Sequence, residues 1–411
     1  MGLEYNARLR AALADVDAAR ASRRLVDAAR LPAVRSQASY TRLSGNIPSV
    51  EFTLPGFDSV FTFQGVQLDR LNSELSLELP LLTQLRLGHE SRAAGHDAVA
   101  AELTLEQERS DVAFEIRRAY WNLRRALDLR SVVETALAGV EEHLGVVRQR
   151  VEHGAALARD LLAAQTRRSE VLLQQVEAAN AVRLGELELN RLIGLPLDSP
   201  LRPVSMPDAA PVPPAPDMGV GSLSAAALED RPRIAALNRQ VLGLRERLGA
   251  AEASRLPEVD FVGRYLYSRP NPYFFTEQDR FRSSWELGIS GRWAIWEGGR
   301  RSAQEGEARA RLEAAEARLQ ETSELVAVET ARRQLEVRRA AEAVDVAEQN
   351  VREAEESFRV VREQFGEGMA LSADVLDAEE ALRQARASRA AALADHAIAD
   401  AAVLNALGRV W

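Results

Sequence analysis

The chain contains no cysteine, and every one of its basic residues is arginine. Without cysteine there is no disulfide framework, no thiolate chemistry, no cysteine-based zinc site and no acylated N-terminal cysteine anchor. The five histidines, at 89, 96, 143, 153 and 396, show no HExxH or other close metal-ligand spacing. GEGMAL lacks the Lys-Ser/Thr of a phosphate-binding loop, and no nucleophile elbow occurs. These absences exclude the common enzyme classes and give no reason to expect a cofactor. The net charge of -9 argues against general nucleic-acid binding, which needs net or clustered positive charge. No apolar run approaches the roughly 20 residues of a membrane-spanning helix. The first residues, MGLEYNARLR, lack the basic-then-apolar pattern of a secretory signal. Either the chain is cytoplasmic, or it is a mature form whose signal was removed and replaced by Met1.

What is present is the composition of long helices. Aromatic residues make up only 5% of the 411 residues, while Ala, Arg and Glu dominate. Arg alternates with Glu along the helical tracts, the pattern of a solvated face of i,i+4 pairs. From about Arg86 to His153 there is no proline, and Val112, Ile116, Ala119, Leu123 and Leu127 recur at three- and four-residue spacing. Such a helix would be about 100 Å long, too long for one compact domain.

The chain is two copies of one unit. RVEHGAALARDLLAAQ (150–165) matches QFGEGMALSADVLDAE (364–379), pairing Gly154 with Gly368 and Asp160 with Asp374 at one offset of 214. Arg86 with Arg300 and Gly194 with Gly408 keep that offset. LPAVRSQASY (31–40) and LPEVDFVGRY (256–265) match at 225, which places an eleven-residue insertion in a loop of the first copy. The first copy is expected at 1–194, with a β-hairpin at about 33–81, a long helix at about 86–153 and a returning helix at 157–193. A Pro-rich connector follows at 195–232. The second copy is expected at 233–411, with a hairpin at about 258–296, a long helix at about 300–365 and a returning helix at 371–408.

Within the hairpins the apolar period changes from 3.6 to 2. Leu71, Leu75, Leu77, Leu79 and Leu81 alternate with Asn72, Glu74, Ser76 and Glu78. Trp285, Leu287, Ile289, Trp293 and Ile295 alternate with Glu286, Ser290 and Arg292, and Val259, Phe261, Tyr265 and Tyr267 with Asp260 and Arg264. An amphipathic sheet over a soluble core would read this way. The runs, however, have the length of tilted membrane-spanning strands, and their aromatics gather toward the ends, as in interfacial girdles. Trp285, Trp293, Tyr265 and Tyr267 are the candidate membrane-interface residues. Trp296 falls on the opposite parity and is expected to turn inward or pack at the junction with the helix, where Gly298 and Gly299 let the backbone turn. Only closed barrels span a bilayer as strands, and single-chain barrels start at eight strands. Four strands per chain therefore require oligomers, as a dimer of eight strands, a trimer of twelve, or larger.

The duplicated unit, the LP motifs, AYWNLRRA (119–126), WEGGRR (296–301), DVLDA (374–378) and LNRLIG (189–194) together resemble the TolC-like outer-membrane efflux protein family. The resemblance implies a mainly α fold with a transmembrane β-barrel, formed by a homotrimer whose twelve strands continue into a periplasmic α-helical tunnel. It implies a passive exit duct for efflux or type I secretion, set in outer-membrane lipid, with a periplasmic adaptor protein and an inner-membrane transporter as partners. The turns holding Val151, Gly154, Phe365 and Gly368 become the adaptor-docking tip. Asp374, Asp377 and Asp160 lie at the periplasmic entrance, Asp374 and Asp377 at positions that form acidic rings in the family. Asp374 reads equally as a carboxylate stabilising its helix start. Phe365 stands where the family often has tyrosine, and Ala370 where well-known members have arginine. Arg159, beside Asp160, is the candidate substitute, pairing with Asp160, Asp374 or Asp377, or else a solvated surface residue. The loops 44–69 and 268–282 would be extracellular. The rival readings are a periplasmic adaptor, which normally has one hairpin between lipoyl-like and barrel domains, and a soluble coiled-coil scaffold.

Overall fold

The computed structural model describes residues 6–46, 50–53, 56, 60–63, 67–201, 203, 220–274 and 278–408. The long proline-free tract forms a single helix, α2 (Gln84–Glu152), and its counterpart in the second copy forms α6 (Arg300–Gly366). Each ends in the same device. Gly154 and Gly368 take positive φ of 71° and 81°. The N–H of Ala155 donates to Arg150 O and that of Gly154 to Val151 O; Met369 and Gly368 repeat both bonds to Gln364 and Phe365. This is the Schellman arrangement, which satisfies the last carbonyls of a helix and favours glycine at the left-handed position.

The returning helices are α3 (Ala158–Ile193) and α7 (Ser372–Ala406). The first copy opens on α1 (Ala7–Ala28) and the second on α5 (Pro232–Ala253), whose proline occupies the first helical position, where no N–H is needed. The end of the expected connector is helical too: α4 (Val220–Asp230) precedes α5, with only Arg231 between them. Most of the Pro-rich stretch before it lies outside the described residues.

Four strands form one antiparallel sheet: β1 (Ala33–Arg42), β4 (Asp69–Pro80), β5 (Glu258–Arg269) and β6 (Arg282–Arg292), in the order β1-β4-β5-β6. Two differences from the sequence expectation stand out. The segment 44–69 holds a further short hairpin, β2 (Val50–Thr53) paired with β3 (Val60–Phe63), where only a loop was expected. The second hairpin stops at Arg292 rather than near 296, because its partner strand begins at Glu258, opposite Arg292; the chain then turns through Gly298 and Gly299, both at positive φ.

The described chain divides into two compact units, each drawing on both sequence copies. One comprises Asp17–Val99 and Arg239–Ala317 and contains the sheet. The other comprises Met1–Val16, Ala100–Asn238 and Arg318–Trp411 and is helical. In the helical unit the core is a series of small clusters along the helix seams. Leu9 and Val16 of α1 meet Leu105 and Val112 of α2. Ala119 and Leu123 of α2 meet Val182, Leu189 and Leu192 of α3. Here Gly185 permits close approach, since a Cβ would lie 3.2 Å from the Leu123 Cα. A third cluster joins Leu223 of α4, Ile234 of α5, Val326 of α6 and Val403 of α7.

Candidate functional site

Two places carry the candidate residues: the sheet in one unit and the paired helix turns in the other. In the sheet, cross-strand register sorts the side chains into two walls. Leu77, Gly263 and Leu287 share one register row; Leu75, Tyr265 and Trp285 form the next, and Leu79, Phe261 and Ile289 another. Directly opposed residues share a face, so one wall is apolar across three strands, and β1 extends it with Val34 opposite Leu77. This wall is bare: Trp285 is 73% exposed, Leu287 64% and Ile289 71%. Tyr267 lies at the far end of the wall and stacks on Phe281, with ring centroids 5.0 Å apart.

The other wall is charged and internally paired. Arg264 bridges two neighbours, with Nε 2.9 Å from Glu74 and Nη1 3.1 Å from Glu286. Arg35 pairs with Glu78 at 2.7 Å. From the β5–β6 loop, the Tyr273 hydroxyl donates to Glu286 at 3.0 Å. A soluble sheet would cover its apolar wall and expose its charged one; here, among the described residues, the middle of the apolar wall at Trp285, Leu287 and Ile289 is left exposed. Among the described residues, both outer strands, β1 and β6, keep one unpaired edge.

Trp293 lies just beyond β6, and its indole N–H donates to Arg255 O at 3.2 Å, tying the end of the strand to the segment preceding β5. Trp296, expected to turn inward or pack, is 85% exposed: the regular strand has already ended, so side-chain parity no longer governs it. From Glu297 onward the surface is polar, with Glu297 paired to Arg300 and Arg301 and Glu305 paired to Arg255 and Arg309.

The helical turns come together in one cluster. Phe365 is buried beside Val147 and Val375, with Val151, Leu161 and Ala370 packed against them. Phe365 is thus a core residue, and the hydroxyl of a tyrosine there would need a buried partner. Arg150 lies over its ring, Cζ 4.2 Å from the centroid, and donates to Gly366 O at 3.2 Å. His143 packs 5.1 Å from the same ring and shares a buried hydrogen bond of 2.8 Å with the Ser372 hydroxyl. Burial, reinforced by Arg150 and Arg362, lowers the pKa of His143 and keeps the imidazole neutral.

Asp160 and Asp374 both act as helix-start acceptors. Asp374 Oδ2 accepts from the Leu371 N–H at 2.8 Å, and Asp160 Oδ2 from that of Leu157 at 3.3 Å. Arg159 Nε lies 3.5 Å from Asp160 Oδ1, and its side chain is largely exposed. Asp377 is exposed on the first turns of α7. Near these turns lies a group that sequence reasoning missed. Glu379 is only 8% exposed, and its Oε2 has no hydrogen-bond partner. The signals available for it were an isolated glycine inside a helix, Gly139, and the change from Gln165 in the first copy to Glu379 in the second.

The family model described as outer membrane efflux protein matches residues 2–195 and again 223–409. Among solved structures, the outer-membrane channel OprN aligns with a TM-score of 0.82 at 22% identity, covering 99% of this chain and 88% of that one. The outer membrane protein VceC from Vibrio cholerae aligns with a TM-score of 0.83 at 20% identity, covering 99% and 94%. The Neisseria gonorrhoeae MtrE outer membrane channel, in its open state, aligns with a TM-score of 0.81 at 21% identity, covering 99% and 87%. No curated protein matches the chain significantly. The two-walled sheet thus finds its explanation in the membrane, and the chain belongs to the outer membrane efflux protein family, the exit ducts of efflux systems in the outer membrane.

Proposed function

We propose that three copies of the chain join sheet edges, β6 of one to β1 of the next, into a twelve-stranded barrel that opens into a tunnel of helices in the periplasm. The observation that carries this reading is the bare apolar wall backed by a charged one, in a sheet with both edges open. Closure satisfies the edges, as hydrocarbon requires, and turns the charged wall into a wet lumen. Substrates then pass without chemical change. The paired turns around Gly154 and Gly368 receive a periplasmic adaptor protein, which links the duct to an energised inner-membrane transporter. Asp374 and Asp377 ring the entrance, and Arg159 helps to hold it shut through its pair with Asp160. A ring of carboxylates would concentrate cations there.

Extraction in mild detergent followed by mass measurement of the complex tests the assembly, with a protein mass of three chains as the expected result. A stable monomer that needs no detergent would overturn it. For the entrance, conductance in planar bilayers separates the roles: Arg159→Ala should raise the open fraction, and Asp374→Asn with Asp377→Asn should weaken cation preference. Unchanged conductance and selectivity in all of these variants would leave the entrance role unsupported.

A further inference from the structure

Glu379 lines a cleft of about 450 Å³ bounded by α2, α6 and α7 inside the helical unit. That volume falls within the roughly 300–1,000 Å³ of small-molecule sites. Its walls include Ala136, Val146, Phe358, Val375 and Leu382. The cationic side chains along it are already engaged. Arg362 pairs with Glu142 at 2.5 Å, Arg386 with Glu355 at 2.8 Å, and Arg383 with Glu380. Arg150 is held by the Gly366 carbonyl and the Phe365 ring, and His143 by Ser372. Among the described residues lining the cleft, Glu379 carries the buried side-chain oxygen, Oε2, left without a hydrogen-bond partner.

Its position is built rather than incidental. Oε1 lies 2.2 Å from where a Cβ on Gly139 would be, so the carboxyl occupies space that any other residue at 139 would fill. Burial is the largest cause of its raised pKa of about 7, and Glu142 and Glu380 add to it, while Arg167 and Arg362 oppose it. Burial with an unpartnered oxygen favours the protonated form of this carboxyl, and a cation or donor arriving beside it favours the ionised form. A metal ion would need several free oxygen or nitrogen ligands, and one carboxyl does not supply them. An anion meets no unengaged cation here. An alkylammonium group meets both demands at once, with N–H donors for the carboxylate and a hydrocarbon body for the walls.

We infer that this cleft binds a small apolar amine, its ammonium group seated on the Glu379 carboxylate and its hydrocarbon body against Phe358, Val375 and Leu382. The exchange balances in charge. The ligand enters as the ammonium ion, the Glu379 carboxyl gives up its proton to solvent, and the net charge of the cleft is unchanged. Binding therefore releases close to one proton below the pKa of Glu379 and almost none well above it, and affinity rises with pH until that pKa is passed. The site stands independently of the duct reading, since every residue in it comes from one chain.

The test is titration calorimetry of the full chain in nonionic detergent, with 3-phenylpropylamine as probe and 3-phenylpropan-1-ol and 3-phenylpropanoate as uncharged and anionic controls. Measurement at about pH 6 in two buffers of different ionisation enthalpy reads proton release. The amine should bind at least tenfold more tightly than the alcohol and release close to one proton, while the carboxylate should not bind. Glu379→Gln keeps the shape of the neutral acid, and should lose at least tenfold in amine affinity together with the proton release. Leu382→Trp fills the cleft, keeps Glu379 in place, and should block the amine. Equal binding of amine and alcohol, full binding and proton release in Glu379→Gln, or no binding of the amine to the native chain at millimolar concentration would each overturn the proposal.

Discussion

Leu287 is the sixth residue of the eleven in β6, so it stands at mid-height of the apolar wall. Its register neighbours are Gly263 and, one strand further, Leu77. The flanking rows are Leu75, Tyr265 and Trp285 on one side and Leu79, Phe261 and Ile289 on the other, and none of these six offers a carboxylate. Leu287→Arg would therefore place an unpaired guanidinium near the bilayer midplane, at about 2–4 kcal/mol per chain. Three copies bring this to about 6–12 kcal/mol for a trimer. The control is Ser290→Arg, three residues along β6 on the charged wall and opposite Asp260, with an expected effect within about 0.5 kcal/mol. Urea titration of the protein folded into lipid vesicles gives the magnitudes, and the yield of SDS-resistant oligomer in cells gives the consequence. Leu287→Arg should cut that yield severely while Ser290→Arg leaves it near native. If Leu287→Arg matched the native midpoint and Ser290→Arg lost it, the two walls would be assigned the wrong way round.

Three further outcomes are expected at the helical turns. Phe365→Ala should cost about 3–5 kcal/mol, because a buried ring is lost from the cluster joining four helices, and denaturant unfolding of the helical signal reads it. Gly368→Ala should cost about 1–2 kcal/mol through backbone strain alone, since φ is +81° and a Cβ would meet open space; the melting temperature should fall without loss of assembly. Glu379 makes stability depend on pH. Its carboxyl binds its proton more tightly folded, at about 7 rather than 4.5, so the stabilisation is complete below about pH 4.5 and is lost as pH rises through about 7. The full span corresponds to roughly 3 kcal/mol. Urea midpoints at about pH 5 and pH 8 should differ in the native chain by more than in Glu379→Gln.

Much of the fold was legible because its signals are local. A proline-free apolar period of 3.6 marks α2, and an alternation of 2 marks β4, β5 and β6. Gly154 and Gly368 announce helix ends because the left-handed backbone asks for glycine. The misses have equally physical reasons. VEFT and VFTF are four-residue strands, too short for an alternation to register against the Phe, Pro and Gly around them. Ile295 keeps the parity of β6 although the strand has ended, since side-chain alternation in sequence does not record the loss of a hydrogen-bonding neighbour. The helix α4 hides behind a Pro-rich stretch that masks its own good helix formers. At the tip, the acceptor role of Asp374 was readable from its place in the first turn. The burial of Glu379 was not, because its carboxyl sits against Gly139, a residue far away in sequence.

The two copies show which features local chemistry fixes and which the surroundings fix. Both long helices end in the same pair of backbone hydrogen bonds around a positive-φ glycine, and both returning helices begin with an aspartate accepting from a leucine N–H three residues earlier. Those devices use only atoms within one turn, so they work wherever the turn is placed. The side chains aimed at neighbours differ between copies. Half-buried Val151 corresponds to buried Phe365, and exposed Gln165 to buried Glu379. A ring of six turns built from three chains would then alternate two kinds of tip, equal in backbone and unequal in packing. The cleft lies between the first copy's long helix and the second copy's helices, and its buried carboxyl, Glu379, comes from the second copy, so in such a trimer there would be one cleft per chain, three rather than six around the ring.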